Sequence, residues 1–463
     1  MKRAIGRRRK NRANERGIAL IMVMGAIAVL TVLLADFQDD GSAELASAMG
    51  DRDGVQAEYF AKSAINLSRL LIATEPTIRT ALAPVFMMMQ RTPPQLPVWQ
   101  FSDRLLGAFN DAEGAKDFAA TTGVDLSLGK NLGLPGGRFE VKIVDEDSKI
   151  NANLGASNEI RHIRLAKQLL GLMAPPANNP LFEQRDTDGQ YHDRMQICAA
   201  IIDWADPDEN FFNCDLTQRG GGSGGAEDAY YQLLKKPFRR KNAPYDSLEE
   251  LHVVRGVGED FWATFVDPDP ERPEKRTMTV WGQGAINVNT ATAQTLLALV
   301  CSDTTEADVC TDPTQAGAFL TGVTLGQGVS MGAPMFGTPG DFMATLRGEG
   351  MLGPMLKTVG MKPIKFKSDA EFAKTITTES KMFSIYAIGI VKGYRRETRV
   401  KIQAVVDFRN APPPTALPIP GQAGAPGAPG SSQPPRPAGS SPDAIAAALR
   451  PSTGGQIVYY RIE

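Results

Sequence analysis

An uncharged apolar run near the amino terminus constrains this chain more than any other feature of its sequence. Residues 18–35 read IALIMVMGAIAVLTVLLA and contain no charged side chain. Wound as an α-helix, the run is about 27 Å long, which is close to the hydrocarbon thickness of a bilayer. We therefore expect one helix of membrane-spanning length.

The charges on either side of the run indicate its orientation. Of the 50 Lys and Arg residues, eight lie in the first 16 positions, whereas only one of the 52 Asp and Glu residues, Glu15, does. Positive residues stay on the cytoplasmic side of a membrane. Residues 1–17 are therefore predicted to be cytoplasmic, and the chain from Asp36 onward is predicted to lie on the other side.

A cleaved secretory signal is an alternative interpretation of this end, and the pair Arg7-Arg8 would suggest the twin-arginine type. The apolar run is longer than the core of a usual signal. In addition, no clear small-x-small cleavage site precedes the acidic stretch that follows it. Both observations favour a segment that stays in the membrane.

The junction between the cationic block and the apolar run resembles that of type IV prepilins. Gly17 lies between the two, and the run then starts Ile-Ala-Leu. The resemblance implies cleavage after Gly17 by the prepilin peptidase, N-methylation of Ile18 and packing of the apolar helix in a filament. Met22 would then stand fifth, where ordinary pilins carry a glutamate that pairs with the preceding subunit. Its absence suits a terminal subunit.

The composition of the rest of the chain excludes some classes of function. The formal net charge of -2 becomes -9 without the leader's excess of seven positive charges. Such an acidic body is a poor binder of phosphate, which argues against a nucleic-acid partner. With three histidines in 463 residues, a His-rich metal centre or histidine-based catalysis also lacks support.

A split sheet is predicted beyond the long helix. Residues 138–145 alternate polar and apolar side chains, and residues 383–391 and 398–408 are rich in β-branched and aromatic ones. The last two segments flank a short turn, which is typical of a hairpin. A long helix packed on a small antiparallel sheet is the pilin architecture, so we expect an α+β fold with a large insertion in the sheet.

The insertion is predicted to be mainly helical and to contain an internal sequence repeat. Residues 149–156 resemble residues 285–292, and in each an Ile-Asn-x-Asn sequence precedes a helical run. Asparagine is a favoured N-cap residue. Residues 247–258 open with an S-x-x-E capping box and close in Gly-Val-Gly, a signature of helix-hairpin-helix and SAM-like modules. Many such modules bind DNA, but in an acidic chain we favour a scaffold role.

Seven segments follow from these patterns and from a proline- and glycine-rich tail. They are a leader at 1–17, the apolar helix at 18–35, the first part of a pilin-like domain at 36–145, the helical insertion at 146–378, the sheet hairpin at 379–410, a flexible segment at 411–455 and a final strand at 456–463.

Four cysteines lie beyond the apolar run, at Cys198, Cys214, Cys301 and Cys310. In an oxidising compartment they would form disulfides, and three pairings are possible. We favour the pairing of sequence neighbours, 198–214 and 301–310, which closes short loops. A four-cysteine zinc site is the alternative, but the chain has no C-x-x-C spacing to support it.

Acidic residues cluster after the first cysteine. Asp203, Asp206 and Asp208 lie within six residues, and Glu227 and Asp228 follow a glycine-rich stretch. Carboxylates this dense repel one another unless a cation neutralises them, and calcium accepts six to eight oxygens in flexible loops. The spacing is not that of an EF-hand. A solvated Asp-Pro-Asp turn is an equally good interpretation, and a carboxylate-based hydrolase is a third.

Several of these segments, taken in order, resemble one family, the type II secretion minor pseudopilin called protein K. The resemblance covers about residues 10–300 and, more loosely, the hairpin. Besides the leader and the run without a fifth-position glutamate, it is carried by DSKINAN at 147–153, IIDWADPD at 201–208, GAEDAYY at 225–231, KPF at 236–238, SLEEL at 247–251 and INVNT at 286–290.

The resemblance implies a structural subunit and not an enzyme. Its expected place is the bacterial inner membrane, with a single helix in the membrane and the bulk of the chain in the periplasm. It implies calcium in the acidic loops and a complex with minor pseudopilins I and J that caps a filament of the major pseudopilin and starts its assembly. The tail and residues 301–378 depart from the family pattern.

Overall fold

A computed structural model gives the architecture of the protein and describes ten stretches of the chain. The predicted leader up to residue 14, Glu227 and Asp228, and most of the proline-rich tail lie outside the described residues. The described stretches are 15–88, 92–110, 136–185, 191–216, 229–305, 308–330, 332–350, 353–393, 396–412 and 452–463, together with Lys116 and Gly189.

Helix α1, Glu15–Met88, is the longest element and carries the apolar run into the rest of the protein. Its 74 residues extend about 110 Å. The glycines at 41, 50 and 54 do not interrupt it, and Pro76 and Pro84 lie inside it. Helix α1 therefore continues well past the apolar run at residues 18–35.

Four antiparallel strands form the main sheet, in the spatial order β1-β6-β7-β8. They are β1 at Gly137–Asp145, β6 at Met382–Lys392, β7 at Glu397–Asp407 and β8 at Gln456–Ile462. The predicted hairpin is β6 and β7. The predicted final strand returns from the tail and pairs with β7.

The remaining elements belong mostly to the insertion between β1 and β6, which is helical as expected. Its short strands are β2 Ile150–Asn151, β3 Met278–Thr279, β4 Ile286–Asn287 and β5 Ile376–Thr377. The α-helices after α1 are α2 Ser102–Gly107, α3 Glu159–Met173, α4 Pro180–Glu183, α5 Arg194–Ala205, α6 Ala229–Gln232, α7 Glu259–Phe261, α8 Ala293–Asp303, α9 Asp308–Thr311, α10 Pro313–Ser330, α11 Pro339–Leu346, α12 Gly353–Thr358 and α13 Asp369–Ala373.

Two hydrophobic cores correspond to the two parts of the fold. One joins α1 to the sheet, where Ala57, Phe60, Ala61 and Ala64 are fully buried. Their spacing of three and four residues places them on one face of the helix. The other core lies inside the insertion and extends from Ile150 to Ile376. The insertion is therefore a folded unit with its own core and not an enlarged loop.

The internal sequence repeat, residues 149–156 and 285–292, is also a structural repeat. In its first copy β2 pairs in parallel with β3, and in its second β4 pairs in parallel with β5. The second asparagine of each copy binds a distant backbone segment: Asn153 Nδ2 donates to the carbonyls of Tyr245 and Val280, and Asn289 Nδ2 donates to that of Phe336. Asn153 and Asn289 therefore link distant segments of the insertion and do not cap its helices.

The N-caps of the following helices lie elsewhere. Asn158 caps α3 and Thr292 caps α8, while Asn151 caps a short 3-10 helix at Ala152–Ala156. The predicted capping box at Ser247 is wrong, because this side chain makes no capping hydrogen bond and residues Leu248–Val253 form a 3-10 helix. This region consists of that 3-10 helix followed by a short α-helix, Glu259–Phe261, and a π-helix, Trp262–Val266.

Close contact between α1 and β6 requires a glycine at position 389. A Cβ atom built there would lie 1.7 Å from the carbonyl oxygen of Ala57. We expect Gly389→Ala to separate helix and sheet and to lower the free energy of unfolding by about 3 kcal/mol or more. Thermal melting of the full chain in detergent, followed by circular dichroism, measures this loss.

Gly54→Ala on the same helix is the matched control. No atom lies within 4 Å of the Cβ that it would add, and alanine stabilises a helix by about 1 kcal/mol relative to glycine. A melting temperature of Gly389→Ala equal to that of the control would contradict the packing described here.

Candidate functional site

The first functional feature is the exposed apolar surface at the start of α1. No residue in its most apolar 18-residue window is buried inside the protein, and the helix is long and apolar enough to cross a membrane. Ile18 and Met22 are 59% and 65% exposed. Water disfavours such a surface at about 25 cal/mol per Å², so lipid or other apolar helices must cover it.

Gly17 precedes this surface directly and is sterically open. Nothing lies within 4 Å of the position where a Cβ would be. Gly17 and Ile18, the predicted cleavage and methylation residues, are thus accessible from solvent or from a neighbouring molecule.

The second feature is the junction where the chain passes from the sheet to the insertion and back. Asp147 lies on the outgoing crossing, and its carboxylate accepts backbone N–H bonds from three residues. The donors are Gln283 at 2.8 Å, Lys381 at 2.7 Å and Met382 at 3.1 Å. One side chain thereby ties both crossings to the loop before β4.

Asp145 completes the junction at the end of β1. Its Oδ1 accepts the backbone N–H of Asp147 at 2.9 Å, and its Oδ2 accepts the hydroxyls of Thr290 and Ser380 at 2.5 Å each. Gln95, from the segment after α1, binds both backbone groups of Ser380. The junction therefore connects the helix α1 region, the sheet and the insertion through buried hydrogen bonds.

A buried ion pair lies beside these carboxylates. Lys149 Nζ is 3.1 Å from Glu146 Oε2, which also accepts the hydroxyl of Thr279 at 2.6 Å. Burial lowers the pKa of Lys149. Burial alone would raise the pKa of Glu146, but the charge of Lys149 and its hydrogen bonds hold that pKa below its usual value. The charge of each partner thus favours the ionised form of the other.

At Asp145 and Asp147 burial raises the pKa, and neither carboxylate forms a salt bridge with a described residue. Burial raises the pKa of Asp145 to about 7, and the neighbouring charge of Asp147 adds to this effect. Burial also raises the pKa of Asp147 to about 6, although the backbone N–H donors favour its ionised form. Near neutral pH, Asp145 is thus the member of the pair that retains a proton.

These shifts predict a pH dependence of stability. Above about pH 4 the folded chain binds more protons at this pair than the unfolded chain does, so the pair's contribution to the free energy of unfolding falls as pH rises to about 7. Asp145→Asn keeps a donor and an acceptor but does not titrate. We expect its melting temperature in detergent to fall less than that of the wild type between about pH 5 and pH 8.

Asp269→Asn provides the comparison for this experiment. Asp269 is partly exposed, and its hydrogen bond with Lys275 lowers its pKa. This variant should therefore keep the wild-type slope of melting temperature against pH. Identical slopes for the wild type and Asp145→Asn would show that the junction does not titrate in this range.

The third feature is the acidic loop that follows α5, where Asp203, Asp206 and Asp208 lie. Asp203 is 3% exposed, and its Oδ1 accepts the backbone N–H of Phe212 at 3.0 Å. Asp206 Oδ1 accepts the N–H of Asp208 at 3.3 Å, and Asp208 Oδ1 accepts that of Asn210 at 2.6 Å. The predicted turn is therefore present, and each carboxylate holds the loop backbone.

Further contacts fix this loop to its surroundings. A disulfide joins Cys198 in α5 to Cys214 beyond the loop, so it brackets all three aspartates. Arg240 Nη1 donates to the carbonyl of Asp203 at 2.6 Å, at the carboxyl end of α5 where carbonyls lack helical partners. The second disulfide joins Cys301 to Cys310, so both bridges link sequence neighbours.

The described residues do not by themselves form a metal centre. Within the described stretches, no group of three or more His, Cys, Asp or Glu side chains is arranged to hold an ion. The carboxylate oxygens of Asp203, Asp206 and Asp208 suit calcium chemically, and the other two predicted ligands, Glu227 and Asp228, lie outside the described residues. His162 Nδ1 lies 3.5 Å from Asp206 Oδ2.

Sequence reasoning missed part of the junction. It used residues 147–153 only as a family signature and Asp145 only as the end of a strand. The signal available was the density of polar residues in a segment between a strand and a buried Ile-Asn. Their partners, at positions 283 and 381–382, could not be identified because they lie 136 and 234 residues away.

The fold and these features define a class of protein. An amino-terminal helix with an exposed apolar start, packed on a small antiparallel sheet that contains a helical insertion, is a pilin-like subunit. Residues 181–265, which include the acidic loop and the first disulfide, match the family described as Type II secretion system (T2SS), protein K. This match agrees with the resemblance to protein K that the sequence motifs carry.

The chain was also compared with solved structures and with curated protein sequences. Three chains of solved structures match. One belongs to "The Crystal Structure of the GspK-GspI-GspJ complex from enterotoxigenic Escherichia coli Type 2 Secretion System", with 16% identity and a TM-score of 0.37 over 67% of this chain and 90% of that chain. No curated protein sequence matches the chain.

Proposed function

We propose that this minor pseudopilin is the tip subunit of a type II secretion pseudopilus and that it starts and caps assembly of the filament. The observation that carries the proposal is the fully exposed apolar start of α1 with Met22 in fifth place after Gly17. A carboxylate in an apolar helix bundle needs a partner. Without it, the subunit packs on the subunits below through apolar contacts but does not form the ion pair with a further subunit above.

Processing precedes assembly in this proposal. The prepilin peptidase cuts after Gly17, and Ile18 becomes the N-methylated first residue. Removal of the cationic leader leaves an apolar helix end that enters the filament core. The rest of the chain then lies in the periplasm, where the two disulfides are stable.

Shape supports the capping role. The insertion has its own core and is tied to the sheet through the buried junction at Asp145 and Asp147. A rigid mass on one subunit obstructs the stacking of an identical subunit above it. We infer that the junction serves this role by preventing the insertion from swinging away.

The partners in this proposal are minor pseudopilins I and J and the major pseudopilin filament. The structure of the GspK-GspI-GspJ complex supports the first two. Each partner of this class brings its own apolar helix, and the uncovered start of α1 is the surface on which such helices pack.

A DNA-binding role is less well supported. The segment that suggested it forms a 3-10 helix with Glu249 and Glu250 in its first turn, and the α-helix that follows, α7, begins with Glu259 and Asp260. Carboxylates repel the phosphate backbone, and DNA affinity comes mainly from Lys and Arg. A hydrolase is also disfavoured, because Asp203 and Asp206 are buried and bound to the loop backbone.

The tip proposal is tested by restoring the missing carboxylate. Met22→Glu should allow the subunit to enter the filament shaft, so that its ratio to the major pseudopilin in sheared filaments rises several-fold. Quantitative mass spectrometry measures this ratio and also reads the mature amino terminus, which we expect at Ile18. Met22→Leu is the control and should leave the ratio unchanged. An unchanged ratio in Met22→Glu, or a different mature terminus, would count against the proposal.

We also propose that the acidic loop binds calcium when Glu227 and Asp228 join Asp206 and Asp208. Bound to the folded state alone, the ion would raise the melting temperature by mass action. Chelation should therefore lower the melting temperature of the full chain, and Asp206→Asn should reduce this effect. Asp308→Asn, an exposed carboxylate paired with Lys362, should keep it. A melting temperature that does not respond to chelator would refute a structural ion.

A further inference from the structure

Among the described residues, no backbone or side-chain group hydrogen-bonds to the outer edge of β8. β8 is the last strand in the sheet, and Glu463, which follows it directly, exchanges two backbone hydrogen bonds with Lys401, at 3.0 and 2.8 Å. Opposed residues in an antiparallel pair alternate between bonded and non-bonded. By the register, Tyr460 and Ile462 are the non-bonded ones. Their N–H and C=O groups therefore point away from β7.

The opposite edge of the same sheet is closed. At β1 the side chain of Asn110 donates to the carbonyl of Phe139 at 2.6 Å and accepts its N–H at 2.8 Å. Charged residues at 138, 140 and 142 alternate along that strand. Blocked backbone groups and charges are the usual means by which proteins prevent an edge from pairing with another chain.

β8 has fewer of these protective features. Its sequence, QIVYYRI, contains neither lysine nor proline. Its one charged residue, Arg461, is paired with Glu463 at 3.1 Å and with Glu249 at 3.7 Å. The register shift between Val405 and Val406 lies near its start, which leaves the following residues regular. Four of its apolar side chains are substantially exposed, namely Ile457 at 38%, Val458 at 41%, Tyr460 at 42% and Ile462 at 50%. An open, apolar edge of this kind is a template for strand pairing.

This edge is continuous with the surface of α1. Arg69 of α1 donates to the carbonyls of Gly454 and Gly455 at 2.7 and 2.8 Å, just before β8. Further along, Lys62 lies over the ring of Tyr59 at 5.6 Å and interacts electrostatically with Tyr460. β8 therefore runs antiparallel to α1, beside the helix through which this class of subunit packs in a filament.

We propose that the outer edge of β8 pairs with an edge strand of a neighbouring pilin-like subunit, so that the sheet continues across the subunit boundary. The inference rests on the proposed function, which supplies neighbours whose amino-terminal helices point the same way as α1. A second copy does not fit, because a two-fold β8–β8 pair would point its two α1 helices in opposite directions. Their apolar ends would then enter different membranes.

Replacing Tyr460 by proline tests the outer edge of β8 without disturbing the rest of the fold. It removes an N–H that points outward, so the ladder to β7 keeps its hydrogen bonds. In the full chain co-expressed with minor pseudopilins I and J and extracted in detergent, we expect Tyr460→Pro to reduce the co-purified partners roughly tenfold. Tyr460→Phe keeps the N–H and the ring and should co-purify as much partner as the wild type.

A second measurement uses the wild type alone and does not depend on how the proline variant folds. Hydrogen exchange of the 456–463 peptide should slow at the amides of Tyr460 and Ile462 when the partners are bound. Wild-type chain that captures neither partner would overturn the proposed function. Capture with unchanged exchange, equal capture by a folded Tyr460→Pro, or β8 pairing with a second copy would overturn strand addition alone.

Discussion

The hydrogen bonds of the Asp147 carboxylate are the interaction on which the rest of the structure depends. They join the two points where the chain crosses between the sheet and the insertion. All three donors are backbone N–H groups, so they do not depend on the side chains of the donor residues. A buried carboxylate is costly unless its oxygens are fully bonded. Asp147 and Asp145 meet this requirement in different ways, the first by backbone donors and the second by hydroxyls and a retained proton.

The buried hydrogen bonds of the junction fix the position of the insertion relative to α1. A domain on two flexible crossings would move independently of α1, whereas here Gln95, Ser380 and Asp145 link the segment after α1 to both crossings. A load or contact at the insertion is therefore transmitted to helix α1. The two surfaces that face outward, the start of α1 and the edge of β8, lie on the part of the fold to which the insertion is fixed.

Much of the architecture could be predicted because it depends on local patterns. The apolar run specifies α1, alternation at 138–145 specifies β1, and β-branched residues specify the hairpin of β6 and β7. The prediction at Ser247 was wrong because the side chain of Glu250 binds the N–H of Asp246, and a 3-10 turn forms in place of an α-helix. Similarly, Asn153 and Asn289 of the internal repeat donate to distant carbonyls, and these contacts could not be predicted from the local N-cap preference of asparagine.

The sequence by itself determined that one helix is apolar enough to span a membrane, that a pilin-like sheet is interrupted by a helical unit, and that four cysteines are available for disulfides, because composition and periodicity act on neighbouring residues. Only the tertiary structure decided which polar groups meet at the junction and which edge of the sheet is left open. Asp147 and Lys381 are 234 residues apart, and Asn110 closes β1 while nothing equivalent was found on β8 among the described residues. Such outcomes depend on which distant segments the fold brings together, and no local pattern encodes them.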